Sequence, residues 1–459
     1  MFKYKVLAVI ILIVNFVQSF LYSSGGIYAD SLSYFEIASD LPHPVTNLFP
    51  LGYPTVLRGF FEVFKDYFWA SKFLNTTMIL VLFLFSYFKD FFFKETVLLF
   101  TGKTFLFIFS IAISEGLFAF LLYFLLYYLY KILVETKGSY RDVVLASVLM
   151  FLMFTVRYSG IYVYLALLIF TVFILLTSKD VKLTKQMVML VLLSGLGIAC
   201  YLLFNFKVFG SFTCENLRGE PSEILPVYVY RDILGTANTV NPYIGLKPAS
   251  NSIYSLVFQF VVFIIDICVF VFLLRYFKKA KETNQYYFHK VLWTITWVYA
   301  VSLIVSGWFQ QIEEMNVRMM AAANFCLFFS FLILYFKTES TDKFLWKLSV
   351  FFFVFITFYS LKSPSNYFEN KKQIEPQMAK FKNKKYLYND DRGGKEAYTT
   401  YHIPIINKTF QYKHTLNQSG DTKHSIAGSI NPQIKWLKYD TVKDKTKVLY
   451  TSQLNLKMK

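Results

Sequence analysis

Asp30 stands at the head of a stretch in which Tyr34, Phe35, Ile37, Ala38 and Leu41 recur at near-helical spacing. A carboxylate in that place can take a proton from an attacking hydroxyl, or it can simply cap the helix. Tyr34, one turn later, shares its face. Glu115, Arg157 and Arg318 each sit at the end of an apolar run, and Arg58 lies in the same loop as Asp30. Arginines hold phosphate through a planar fork of donors, or they snorkel from the membrane edge. Glu115 is too short to snorkel as far, so it calls for a polar cavity or a basic partner. Lys72 is an alternative phosphate ligand, Lys103 falls deeper in its run, and Glu36 and Asp40 are weaker acids. His43 has no partner set and reads as structural, and Tyr53 as an interface anchor. No metal-type spacing and no CxxC pair occur among the four cysteines.

The elements that must position these residues are set by composition. The chain has 459 residues, 56% hydrophobic, 20% aromatic and only 17% charged, against about 25% charged in a typical soluble domain. Its apolar residues cluster in runs long enough to cross about 30 Å of hydrocarbon, which excludes a soluble enzyme, a disordered chain and a coiled coil. Eleven runs are legible: Val6–Tyr22, Tyr67–Phe88, Thr96–Ala112, Gly116–Leu133, Val143–Val156, Ile161–Leu176, Met187–Phe206, Ser252–Leu274, Val291–Phe309, Met319–Phe336 and Trp346–Leu361. The first resembles a signal peptide but lacks a small-residue cleavage site, so it reads as an uncleaved helix. Lys103 makes the third the weakest. Gly195 and Gly197 are the main interruption within a run.

With the N-terminus in the cytoplasm, 18 Lys and Arg fall on cytoplasmic ends and 8 on the opposite side, as the positive-inside bias requires. An odd number of spans then sends the tail outward. Of the formal charge of +18, the segment from Lys362 contributes +11. Behind so many apolar runs, such a tail suits a solvated surface, anionic headgroups or a polyanionic glycan better than nucleic acid. The expected fold class is an all-α polytopic membrane protein. Residues 1–361 would form the transmembrane domain, with a first outer loop at 23–66 and a second at 210–251. Residues 362–459 would form a small extracytoplasmic β or α/β appendage, with alternating stretches at Lys385–Tyr388, Thr400–Ile406 and Lys445–Thr451.

The first outer loop is no flexible linker. Pro50–Phe64 repeats an amphipathic pattern, and Pro42, Pro44 and Pro50 fix the turn between two interfacial helices. Its D-x-x-x-Y-x-x-x-A from Asp30 and its F-P-x-G-Y-P from Phe49 resemble lipid-linked glycosyltransferases of the GT-C superfamily. The likeness is to the branch of protein O-mannosyltransferases and aminoarabinose transferases, glycosyltransferase family 39. Three further segments agree: Ile113-Ser114-Glu115-Gly116-Leu117-Phe118, Arg157-Tyr158-Ser159-Gly160 and Asn316-Val317-Arg318-Met319. The order covers roughly residues 1–340. Departures are the lack of an acidic pair at Asp30 and the presence of Ala321–Ala323 where a proline is common. The acceptor and the sugar therefore do not carry over.

What the resemblance implies is an inverting glycosyltransferase with Asp30 as its catalytic base. Tyr34, Arg58, Glu115, Arg157 and Arg318 would bind the donor phosphate and substrate. The donor would be a sugar on polyprenyl phosphate, with no metal or other cofactor, and the acceptor a cell-envelope glycan, lipid or protein. No P-loop, strand-bound GxGxxG or Asp-x-Asp is present, which argues against an ATP-driven pump and a nucleotide-sugar enzyme. A flippase for a lipid-linked saccharide and a glycan polymerase are the alternatives. High Lys, Phe, Ile and Asn point to a bacterial plasma membrane. A topology reporter fused after Lys362 should read out as non-cytoplasmic, and a cytoplasmic readout would break the span count.

Overall fold

The computed structural model describes residues 1–360 except 23–24, 45, 136–137, 214–225, 244–251, 310–314 and 340; beyond 360 it describes Phe368 and three short strands. Helix α1, Phe2–Leu21, is the first span. The outer loop folds as α2, Ala29–Asp40, and α3, Gly52–Phe64. Tyr28, not Asp30, is the N-cap of α2, and its backbone N–H donates to Ser31 Oγ at 3.0 Å. Asp30 lies inside the first turn, where the helix dipole favours an acid. The two loop helices pack through rings. Tyr34 meets Tyr53 edge-on at 4.8 Å, and Tyr67 stacks between Phe35 at 5.6 Å and Phe61 at 4.2 Å. Tyr53 is thus a buried core ring, not an interface anchor.

Helix α4, Tyr67–Phe88, starts where Asp66 accepts from the N–H groups of Phe68 and Trp69. The third apolar run is not one helix. It breaks into α5, Phe93–Leu99, and α6, Lys103–Ser110. Tyr87 and Phe93 rings meet at one end of this pair, and at the other the Ala112 N–H donates to the Gly26 carbonyl. Two short helices separated by Phe100-Thr101-Gly102 thus stand where one long helix was expected, and neither is long enough by itself to cross a membrane. Helices α7, Ser114–Leu133, α8, Tyr140–Val156, α9, Gly160–Thr177, and α10, Val181–Phe209, follow. Gly195 and Gly197 do not interrupt α10; they lie within it against Tyr164 and Phe151.

Next come α11, Pro226–Gly235, α12, Ala237–Val240, α13, Ile253–Lys279, α14, Tyr286–Gly307, α15, Ala321–Thr338, and α16, Lys343–Ser360. Among the described residues eight helices are long and apolar enough to cross a membrane: α1, α4, α7, α9, α10, α13, α14 and α15. This is a multi-pass membrane protein. At one end, Asp342 binds both Lys3 and Tyr4 at 2.7 Å, and Lys5 reaches Tyr87. Helix α15 is the centre of the bundle, buried on every side from Ala321 to Tyr335.

The second outer segment is only partly what its polar sequence predicts. Residues 237–243 turn into the bundle. Asn241 bonds Asp266 in the middle of α13, Tyr243 bonds Ser349 of α16 at 2.7 Å, and Asn324 of α15 donates to the Thr239 carbonyl. Irregular backbone at that depth is tolerable because protein, not lipid, surrounds it. In the tail, strands β1, Tyr386–Tyr388, β2, Gln411–His414, and β3, Leu437–Asp440, pair antiparallel in the order β1-β3-β2. The expected stretches Thr400–Ile406 and Lys445–Thr451 lie outside the described residues.

Gly102, at the α5–α6 break, faces the inserted segment. A Cβ there would come within 2.7 Å of the Pro242 carbonyl oxygen. Gly102→Val should cost about 1–3 kcal/mol, as overpacking does. Lowered thermal unfolding of the purified variant is the expected result, and an unchanged midpoint would show that the two segments do not touch.

Candidate functional site

Four charges from four distant parts of the chain meet at one end of the bundle. Glu115 and Ser114 lie in the first turn of α7, whose free N–H groups and dipole favour an acid. Arg157 caps the C-terminus of α8. The tight corner behind it needs Gly160, where a Cβ would stand 2.9 Å from the Phe154 backbone. Arg318 precedes α15, in a turn where Asn316 Oδ1 accepts from the N–H groups of Arg318 and Met319.

The ion pairs alternate in sign. Arg157 Nη1 lies 2.7 Å from Glu115 Oε1, Arg318 Nη1 lies 3.9 Å from the same oxygen, and Arg318 Nη1 pairs with Asp30 Oδ2 at 2.5 Å. Side-chain exposure is 29% at Asp30, 17% at Arg318, 5% at Glu115 and 23% at Arg157, so Asp30 is the most open member and Glu115 the buried link between the two arginines. At about 4 Å and an effective dielectric near 20, one such pair gains on the order of 4 kcal/mol, much of it offset by desolvation. Glu115 Oε2 is buried without a hydrogen-bond partner. Asp30 is therefore not a cap; its carboxylate belongs to this row.

Hydroxyls complete the site. Ser114 Oγ takes a bond from Arg157 Nη1 at 3.1 Å and shares one with Tyr34 OH at 2.7 Å. Arg157 Nε and Tyr299 OH both reach Ser159 Oγ, at 3.4 and 3.1 Å. Burial pushes the Tyr34 phenol above its usual range, so Tyr34 acts as a neutral hydroxyl and not as a base. Burial alone would lower the Arg157 guanidinium; Glu115, Tyr299 and Tyr34 outweigh it and keep the cation.

Of the residues expected from sequence, Asp30, Tyr34, Glu115, Arg157 and Arg318 converge. Arg58 is not brought to them by any described bond. It pairs with Glu62 at 2.7 Å, bonds Tyr67 OH at 3.3 Å and lies over Phe61. Lys72 is buried, with Nζ 3.3 Å from the Ser110 carbonyl and over the Phe68 ring. His43 is exposed, and the side chains of Glu36 and Asp40 lie outside the described residues. Among the described residues no group of three or more His, Cys, Asp and Glu could hold a metal. Sequence reasoning missed Ser114, Ser159 and Tyr299. Two of these stand inside the motifs at Glu115 and Arg157, where their small hydroxyls drew no notice beside the charges. Tyr158 serves structure, donating to the Asn47 carbonyl of the first loop at 2.7 Å.

Fold and site together define a class: a polytopic helical membrane protein with a row of buried and half-buried charges at one rim. No family model and no curated protein matches the chain. It is similar to the crystal structure of ArnT from Cupriavidus metallidurans bound to undecaprenyl phosphate, with a TM-score of 0.49 and 11% identity. That match covers 76% of this chain and 62% of the other. At that distance the reading of the site rests on its own residues.

If the row is a coupled network, removing one partner should cost more than removing both. Glu115→Gln and Arg157→Gln should each lower the unfolding midpoint, and the double variant should recover about 1–3 kcal/mol of coupling in a double-mutant cycle. Strict additivity would dissolve the network.

Proposed function

We propose that the protein is an inverting glycosyltransferase that moves a sugar from a polyprenyl-phosphate carrier to an envelope acceptor at the rim holding Asp30. The observation that carries this reading is the Asp30–Arg318–Glu115–Arg157 row, with one carboxylate open and two guanidiniums behind it. The motif order along the sequence supports it. A donor with a long lipid tail would reach the rim through the membrane and need not cross water.

The chemistry balances at these residues. The acceptor oxygen attacks C1 of the sugar, and the C1–O bond to phosphate breaks with its electron pair going to the phosphate oxygen. The acceptor proton passes to Asp30. The row is formally neutral at rest, so a bound phosphodiester makes the site −1. After transfer the phosphate has gained one negative charge and Asp30 has lost one, and the total is unchanged. The site moves charge a short way and creates none, which is what a preorganised electrostatic site does best.

Arg318 links the two halves. Its guanidinium fork holds the Asp30 carboxylate in place and could turn to the phosphate as charge gathers there. Arg157, fixed by Glu115 and Ser159, would supply the second cation. Glu115 Oε2 has an open valence that a sugar hydroxyl or amine would fill.

One observation favours a second reading. The α5–α6 break and the inserted 237–243 segment are the discontinuities expected of a transporter, so a flippase of a lipid-linked saccharide stands as the alternative. A radiolabelled polyprenyl-phosphate sugar, purified protein and an envelope extract separate the two. Sugar should leave the lipid for the acceptor, and Asp30→Asn should slow this by about 100-fold or more. Arg318→Lys should also slow it, because a point charge replaces a fork. Equal rates for wild type and Asp30→Asn would remove the base, and movement of intact lipid-linked sugar would favour the flippase.

A further inference from the structure

A second polar cluster lies away from the rim, at the middle of α13. Along that helix Gln259, Val262, Asp266 and Leu273 are buried, while Ile264, Ile265 and Ile267 are exposed as lipid-facing residues are. Asp266 is thus a carboxylate turned into the protein at mid-depth, only 2% exposed. Asn241 Nδ2 donates to its Oδ1 at 2.9 Å, and its Oδ2 is buried without a partner.

Two neighbours repeat that pattern. Asn324 of α15, 0% exposed, spends its amide on the Thr239 carbonyl at 3.1 Å and leaves Oδ1 unpartnered. Thr239 of α12, 2% exposed, leaves Oγ1 unpartnered. Thr239 and Asn241 are two residues apart on the inserted segment, so these bonds tie both α13 and α15 to one short stretch, beside which the three oxygens stay open. Each oxygen comes from a different element.

An ionised carboxylate at mid-bilayer costs roughly 2.5–3.5 kcal/mol on insertion scales and must be neutralised. The described partner of Asp266 is a neutral amide, which polarises the carboxylate without cancelling its charge. Open oxygen atoms with no nitrogen or sulfur among them select a hard cation. One formal negative charge matches one positive charge; a divalent ion would leave a net buried charge.

We infer that Asp266 Oδ2, Asn324 Oδ1 and Thr239 Oγ1 bind a monovalent cation of the sodium class. The ion fastens the inserted segment to α13 and α15. It acts on the site only through that packing: Asp232 of α11 accepts from the Met315 N–H at 3.1 Å, three residues before Arg318. The inference does not depend on the proposed transferase activity.

Thermal unfolding of the purified protein in detergent tests it. Midpoints are measured in sodium, potassium, lithium and N-methyl-D-glucamine chloride at one pH and one ionic strength. A ligand that binds only the folded state raises stability with its concentration. The midpoint should therefore rise by several degrees with sodium and saturate. Asp266→Asn should abolish the response. Thr239→Val, which keeps the shape and removes one oxygen, should shift half-saturation to about tenfold higher sodium, and it decides the matter if Asp266→Asn does not fold. Identical midpoints in all four salts, or an undiminished response in Thr239→Val, would overturn the inference and leave a proton as the neutralising species.

Discussion

A charge at the edge of a hydrocarbon layer cannot stand alone, and in this protein two carboxylates and two guanidiniums satisfy that demand in one another. The pairs join residues 30, 115, 157 and 318, so the row is complete only when elements from most of the chain have come together. Each charge sits where a helix begins or ends. The acids lie in first turns, where backbone dipoles favour them; Arg157 closes α8, and Arg318 comes just before α15. The shape of the rim follows from that pairing. Ser114 and Ser159, themselves bonded to Tyr34 and Tyr299, then fix the orientation of Arg157.

The same pairing explains how a site can be stable without substrate and still be ready for one. A neutral row has little need to recruit ions or water. On the proposed reading a phosphate group would compete with Asp30 for Arg318.

Eight of the eleven expected runs coincide with helices long and apolar enough to cross a membrane, because hydrocarbon thickness imposes a long apolar run on a crossing, whatever the function. The α5–α6 break was not legible. Thr101-Gly102-Lys103 interrupts otherwise continuous Phe and Leu, and the feature that settles it, Pro242 against Gly102, is remote in sequence. The inserted 237–243 segment was unreadable for a related reason. Its Asn and Thr residues look like a surface loop until Asp266 and Asn324 are known to face it. At the site, a polar cavity or a basic partner for Glu115 could be expected from the cost of leaving a short acid bare, but which arginine supplies it is seen only in the fold. Arg58 carried a visible local signal against it, since Glu62 stands four residues on, within reach on the same helix face. Asp30 looked like a cap by position, and only the partner 288 residues away shows otherwise.

Helix α15 gives the bundle a stator. Packed on every side, it has no free surface along which to slide or turn, and close-packed interiors resist small displacements. Arg318 hangs from its leading edge and inherits that rigidity. Asp30 rides on the twelve-residue helix α2 and keeps 29% of its side chain exposed. A change of spacing within the pair is therefore easier to place on the short helix than on the packed one.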